Sequence, residues 1–143
     1  MRVFLDANVL FSAADGQSAT RQLLNEVLER AEVVTNPHAF EEARRNLQIK
    51  RPQHLDGLVA IQRRITTTTA FDNRIQVQLT QEDLPVVAGA VGSGCSHLWT
   101  SDRRHFGRYY GKEIGGVRVV SSVMLADLLS TSAETTTKET ELK

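Results

Sequence analysis

The sequence predicts an α/β domain of three layers, in which helices cover both faces of a central, mostly parallel sheet. Short apolar segments alternate along the chain with amphipathic segments of helical period. The first apolar segment, at residues 3–5, is continuous rather than alternating, which is typical of a strand buried on both faces of a parallel sheet. Strands that alternate with helices indicate parallel pairing, because each crossover places a helix on a face of the sheet.

Composition favours one domain followed by a polar tail. The chain has 143 residues, of which 41% are hydrophobic, enough for a single core. We expect that domain at residues 1–129 and a disordered tail at residues 130–143, where apolar side chains are almost absent. Basic and acidic residues balance at 17 each, which argues against a protein held to nucleic acid by its overall charge alone.

The sequence also indicates a cellular setting. Cys95 is the only cysteine, which excludes an intrachain disulfide and a cysteine-based zinc cluster. Asp6 interrupts the first apolar run, so we expect no signal peptide. No apolar stretch approaches the roughly 20 residues of a membrane span. We therefore expect a protein of the reducing cytoplasm that does not bind membranes.

Apolar side chains at helical spacing, with charged residues on the other face, predict three helices in the first half of the chain. Ser18 or Thr20 can cap the first, and Asn36 can cap the second, because a proline follows it at the first helical position. Residues 32–35 predict a strand between these two helices, and small residues at 12–16 predict a loop before the first. The three helices cover about residues 18–30, 36–49 and 53–65.

The second half of the chain begins with threonines at 66–69, which lose rotamer freedom in a helix, so we expect an extended segment there. A helix follows at residues 80–91, with carboxylates in its first turn and glycines at its end. Short segments rich in apolar or β-branched residues at 97–100 and 117–120 predict two further strands. A short helix through residues 124–129 completes the predicted domain.

Acidic residues stand where the predicted strands end and where two helices begin. Asp6 follows the first strand and Asp102 follows the strand at 97–100, so parallel pairing would bring both carboxylates to one edge of the sheet. The acidic residues near the two helix starts are Glu41, Glu42, Glu82 and Asp83. Several carboxylates at close range repel one another unless a cation lies among them. A hard divalent ion, Mg²⁺ or Mn²⁺, is therefore expected, and such a site suits phosphodiester hydrolysis.

Three blocks of the sequence occur in an order and spacing that resemble one family. The first reads VFLDANVL, the second reads FEEARRNL, and the third joins Glu82-Asp83 to HLWTSD and His105-Phe106. With the closing segment at 117–129, they resemble the PIN domain, a metal-dependent ribonuclease family that includes VapC-type toxins of toxin–antitoxin pairs. The resemblance covers nearly the whole chain up to Ser130. It implies a three-layer α/β/α PIN-like fold and endoribonuclease activity on RNA that requires Mg²⁺ or Mn²⁺.

The resemblance also implies roles for particular residues and partners. The family's acidic metal positions and polar supporting positions are both matched in this chain. The matching residues are Asp6, Glu42, Asp83 and Asp102 for the metal, with Asn8 and Thr100 in support. Glu41 and Glu82 are each adjacent to a matched position, so Glu41 or Glu42, and Glu82 or Asp83, remain open as ligands. The family further implies an antitoxin that blocks the site, and a homodimer.

Other interpretations of these residues remain open at this point. A non-catalytic PIN-like module that binds RNA or protein is the principal alternative, and each acidic residue has a structural interpretation as a cap, a turn residue or a helix-dipole partner. A haloacid-dehalogenase-type phosphatase fits poorly, because it requires aspartate where Asn8 stands. A phosphotransfer receiver fits poorly as well, because Asp56 follows a predicted helical residue rather than a strand.

Overall fold

The computed structural model describes residues 1–75 and 77–141, with residues 132–141 described by their backbone alone. Its strands are β1 Arg2–Leu5, β2 Glu32–Thr35, β3 Thr66–Thr67, β4 His97–Trp99, β5 Glu113–Ile114 and β6 Val117–Val120. In the described part of the chain they form one sheet in the order β3-β2-β1-β4-β6-β5. All neighbours in this sheet pair in parallel except β5, which is antiparallel to β6. The predicted α/β class with a mostly parallel sheet is therefore confirmed.

Helices connect these strands. Within the described residues they are α1 Ala7–Ala13, α2 Ala19–Arg30, α3 Pro37–Lys50, α4 Leu55–Gln62, α5 Leu84–Gly92, α6 Arg103–Phe106 and α7 Ser122–Glu141. Val3, Phe4 and Leu5 are all fully buried, although successive residues of a strand point to opposite faces of the sheet. Both faces of the central strand are therefore covered, as the continuous apolar run predicts. None of the helices in the described ranges is both long enough and apolar enough to span a membrane.

The structure differs from the sequence prediction after the first strand. Residues 12 and 13 belong to α1 rather than to a loop, because the helix begins directly after Asp6. The Asp6 carboxylate accepts a hydrogen bond from the Ala7 N–H and caps this helix. Val9 and Leu10 then face the core, which stabilises a short helix that has weak propensity of its own.

Four further elements differ from the prediction, two in extent and two because the sequence did not indicate them. Helix α5 begins at Leu84 rather than at residue 80, so the acidic residues before it lie in a turn that leads into the helix. The strand β5 and the four-residue helix α6 were not among the predicted elements. The last helix continues to Glu141, across much of the predicted tail, and residues 142–143 lie outside the described residues. The division of the chain at residue 130 therefore stays a prediction.

A close approach between α3 and α5 positions the region where the acidic residues lie. Asn36 caps α3 by accepting a hydrogen bond from the Ala39 N–H, and its amide nitrogen donates to the Pro85 carbonyl at 3.1 Å. Gly89 makes room for this bridge, because a Cβ at that position would lie 2.5 Å from the same amide nitrogen. The first turns of the two helices are thereby held together beside the carboxyl ends of the strands.

Candidate metal centre

An open cavity of about 370 Å³ lies at the carboxyl edge of the sheet, beside the ends of β1 and β4. The structure brings all four sequence-predicted acidic residues to this one cavity. Its lining residues include Asp6, Glu42, Asp83 and Asp102, together with Glu82 and His105. The ends of two strands, helix α3 and the turn before α5 are distant in sequence but deliver carboxylates to a common space, which is the arrangement expected of a metal site at a parallel sheet edge.

Asp6 is the most deeply placed of these residues, with 4% of its surface exposed. One carboxylate oxygen accepts the Ala7 N–H at 2.7 Å. The other accepts the Thr100 hydroxyl at 2.8 Å and the Asn8 amide at 3.1 Å. These contacts fix the orientation of the carboxylate, so Asp6 enters the cavity as a rigid acceptor rather than as a mobile side chain.

Asn8 and Thr100 connect the two strand ends. The Asn8 amide also donates to the Thr100 hydroxyl at 3.3 Å, while its side-chain oxygen accepts the Ser101 N–H and the Ser101 hydroxyl, both at 2.9 Å. The Thr100 hydroxyl in turn accepts the Asp102 N–H at 3.2 Å. This network joins the loop after β1 to the loop after β4, and it sets the separation between Asp6 and Asp102.

Burial raises the pKa of Asp6 from 3.8 to about 6. Hydrogen bonds from Thr100 and the Ala7 N–H partly oppose this rise, while the negative charges of Asp83 and Glu42 add to it. The ionised form of Asp6 is therefore less favourable in the metal-free protein than in an exposed aspartate, and the carboxyl gives up its proton only near pH 6. A cation in the cavity would reverse this balance, because it would stabilise the negative form of each surrounding carboxylate.

The raised pKa of Asp6 predicts a pH dependence of stability in the metal-free protein. Since the folded-state pKa lies above the unfolded value, the folded state binds more protons between these two values, and stability falls as the pH rises from about 4 to about 6. The loss amounts to up to about 3 kcal/mol. Urea denaturation in EDTA, at about pH 4.5 and pH 7, measures it in the wild type and in Asp6→Asn. Contributions from other groups are common to both proteins, so equal pH dependence in the two would contradict the prediction.

Asp83, Asp102 and His105 form a tight cluster at one side of the cavity. One potential ligand atom from each residue lies within 4.8 Å of the other two. The His105 Nδ1 is 2.8 Å from an Asp83 carboxylate oxygen and 3.0 Å from an Asp102 carboxylate oxygen. Asp102 is also the N-cap of α6, where its other oxygen accepts the His105 N–H at 3.1 Å. Two carboxylates and an imidazole at these distances can bind a divalent metal ion.

The structure shows which acidic residue of each adjacent pair, Glu41–Glu42 and Glu82–Asp83, is better placed to bind a metal ion. Glu41 points to solvent and forms a bidentate ion pair with Arg44, whereas Glu42 lines the cavity. Both Glu82 and Asp83 line the cavity, but Asp83 alone belongs to the cluster with His105. Its carboxylate also accepts the Thr80 hydroxyl at 2.7 Å, which holds it in place within the turn before α5. The geometry therefore favours Glu42 and Asp83.

Sequence reasoning missed some of the residues that line the cavity. Asn46 and Lys50 lie on α3 at successive helical turns from Glu42, so the i, i+4, i+8 spacing could have identified them. Lys50 adds a positive charge to the rim of an otherwise acidic cavity. His105 belongs to the third block of the resemblance, but its neighbourhood depends on α6 and on a distant turn, so sequence spacing does not predict its place in the cavity.

Basic side chains flank the cavity on the side where His105 lies. Arg104, Arg108 and His105 line a second depression of about 340 Å³ together with residues 78–80. The Arg108 guanidinium donates a hydrogen bond to the Gln78 carbonyl and lies over the Tyr109 ring, 5.0 Å from its centroid. Because His105 lines both depressions, the acidic cavity and this basic surface are contiguous. Such a surface can bind phosphate groups.

Comparison with known proteins identifies the fold. No protein-family model matches the sequence, and no curated protein matches it. The structure of VapBC2 from Rickettsia felis, bound to a promoter DNA fragment, matches with a TM-score of 0.64 and 13% identity, over 85% of this chain and 98% of the other. This chain has the PIN-domain fold. VapBC-1 from nontypeable Haemophilus influenzae matches with a TM-score of 0.58 and 12% identity, over 86% of this chain and 99% of the other.

A third PIN-domain structure gives the same result. Mycobacterium tuberculosis VapC20, described as a sarcin–ricin loop cleaving toxin, matches with a TM-score of 0.56 and 10% identity, over 78% of this chain and 98% of the other. The chain thus spans nearly the full length of each neighbour. At such low identity the likeness establishes the PIN fold, while the roles of individual side chains depend on the geometry of this chain.

Proposed function

We propose that this protein is a metal-dependent endoribonuclease that hydrolyses RNA phosphodiester bonds. The observation that carries the proposal is the convergence of Asp6, Glu42, Asp83 and Asp102 on one open cavity at the carboxyl edge of the sheet. The PIN-domain fold of the chain supports the same activity, since a structural neighbour with this fold is described as a sarcin–ricin loop cleaving toxin.

The donor atoms of the cavity fit a divalent cation. Four carboxylates offer oxygen ligands, and the raised pKa of buried Asp6 indicates that negative charge is uncompensated there without an ion. Mg²⁺ or Mn²⁺, held by these four residues directly or through water, matches this donor set. When bound, such an ion polarises a phosphoryl oxygen, lowers the pKa of water and stabilises the leaving oxygen.

The protein's own side chains hold the metal-binding carboxylates in position and provide positive charge for the RNA phosphates. The hydrogen bonds from Asn8 and Thr100 fix Asp6, and the cap of α6 fixes Asp102, so these carboxylates need not reorganise when substrate arrives. Arg104 and Arg108 lie beside the cavity, where they can hold phosphates flanking the scissile bond. The cavity is open to solvent, so a phosphodiester group of a longer strand can reach it.

The same proposal includes a biological setting. Two structural neighbours are VapBC assemblies, and we infer that this protein is likewise the toxin of a type II toxin–antitoxin pair. An antitoxin would act by covering the cavity, with a basic side chain that reaches the carboxylates. We also propose that the protein forms a homodimer and that it acts in the cytoplasm, where RNA substrates occur.

Metal removal tests the proposed activity. Purified protein is incubated with total RNA and with a sarcin–ricin loop oligonucleotide, first in EDTA and then with excess Mg²⁺ or Mn²⁺. We expect EDTA to lower the cleavage rate by at least about a hundredfold, because the ion supplies several kcal/mol of transition-state stabilisation, and added ion to restore it. Undiminished cleavage in EDTA would contradict metal dependence. Absence of cleavage with either ion would favour a non-catalytic module that binds RNA or protein.

A further inference from the structure

We propose that His105 is a direct metal ligand, which completes a mixed subsite with Asp83 and Asp102 and makes this site favour Mn²⁺ over Mg²⁺. The inference rests on the proposed function, and it adds a nitrogen donor to a centre otherwise described by carboxylates. It concerns one side of the cavity, where the turn before α5 meets the first turn of α6.

The position of the imidazole supports this assignment. The His105 Nδ1 is buried and, within the described part of the chain, forms no hydrogen bond, although carboxylate oxygens of Asp83 and Asp102 lie 2.8 Å and 3.0 Å away. A buried polar atom without a hydrogen-bond partner is costly, and such atoms in folded proteins call for an explanation such as a bound ion. A shared ion would give the nitrogen and both carboxylates a common partner.

The surrounding contacts hold the three donors in place. Asp102 caps α6 through the His105 N–H, so the carboxylate and the imidazole three residues later share one helical turn. The Thr80 hydroxyl donates a hydrogen bond of 2.7 Å to the same Asp83 oxygen that faces the His105 Nδ1, which fixes that carboxylate. The His105 side chain is 32% exposed and lines both depressions, so it lies between the acidic cavity and the basic surface rather than in the core. These features are those of a ligand set on rigid elements.

The chemistry of the donors sets the metal preference. Mg²⁺ takes oxygen ligands in near-ideal octahedral geometry and retains several waters. Imidazole nitrogen suits transition metals, and Mn²⁺ accepts it together with carboxylates more readily than Mg²⁺ does. A subsite of two carboxylates and one imidazole therefore discriminates between two ions that an all-carboxylate site would treat more alike.

Electron spin-echo spectroscopy of the Mn²⁺-loaded protein tests the ligand directly. A coordinated imidazole produces ¹⁴N modulation of the Mn²⁺ signal, which we expect in the wild type and expect to disappear in His105→Gln. His38→Gln is the matched control, because the His38 ring contacts the Glu82 carbonyl at 2.9 Å and thus lies close to the site without belonging to the cluster. This control is expected to retain the modulation.

Metal titration by calorimetry gives a second readout. His105→Gln is expected to weaken Mn²⁺ binding by at least about tenfold and Mg²⁺ binding by less than about threefold. His105→Asp supplies an oxygen donor at the same position, so it is expected to bind Mn²⁺ without ¹⁴N modulation and to shift the preference toward Mg²⁺. The His105→Asp result and the wild-type spectrum decide the question even if His105→Gln fails to fold.

The outcomes separate this inference from the proposed function. Wild-type protein that binds Mn²⁺ without ¹⁴N modulation would overturn the role of His105 and leave the carboxylate nuclease standing. Modulation that persists in His105→Gln would overturn it as well. Wild-type protein that binds neither Mn²⁺ nor Mg²⁺ would overturn both proposals.

Discussion

Replacing Asp6 with asparagine is expected to reduce the rate of RNA cleavage by at least about a hundredfold. Mutating a residue that only hydrogen-bonds a metal ligand typically lowers metal affinity or activity by about 10- to 100-fold, and losing a ligand itself costs at least as much. Asparagine keeps the size of the side chain but removes the charge that attracts the cation. The substituted residue can still accept the Ala7 N–H and cap α1, so the fold should persist. The cleavage rate at saturating Mn²⁺ or Mg²⁺, together with the Mn²⁺ dissociation constant, measures the effect.

Asp56→Asn is the matched control for this substitution. Asp56 lies in the first turn of α4 and does not line the cavity, so its replacement should leave cleavage within about twofold of wild type, as surface changes usually do. Circular dichroism and thermal unfolding establish that both variants are folded. Normal cleavage by folded Asp6→Asn would contradict the proposed nuclease site, whatever the behaviour of the control.

The central part of the fold was predictable because its sequence signals are local. The run Val3 to Leu5 is apolar at every position, and the structure buries all of it between two layers of helices. The sequence Asn36-Pro37 marks the start of α3, where the structure finds both the predicted cap and the proline. The strand β5 and helix α6 are too short to carry a period, so packing decides them rather than sequence.

The acidic site was predictable in outline but not in detail. Asp6 and Asp102 follow strands of one parallel sheet, and topology alone brings them to one edge. The choice between adjacent residues on a helix depends on rotation about its axis, which a one-residue error changes by about 100°. His105 depends on three-dimensional proximity, since it lies in α6 whereas its partner Asp83 lies in the distant turn before α5.

The distinction between Glu41 and Glu42 yields the second large expected effect. Glu42→Gln should lower kcat/KM for RNA cleavage by about tenfold to a hundredfold, because Glu42 lines the cavity and faces the other carboxylates. Glu41→Gln should change it by less than about twofold, because Glu41 is exposed and its carboxylate pairs with Arg44 across one helical turn. Steady-state kinetics on the same RNA, with Mn²⁺ affinity measured in parallel, compares the two variants.

The pair forms an internally controlled experiment, because each substitution removes one negative charge from the same turn of α3. If long-range electrostatics alone governed cation uptake, the two variants would lose affinity to a similar extent, and added salt would reduce both losses. Direct participation instead predicts a loss confined to Glu42→Gln and largely insensitive to salt, since a ligand acts at contact distance within a partly buried cavity. A greater loss in Glu41→Gln than in Glu42→Gln would show that α3 presents its other acidic residue to the metal.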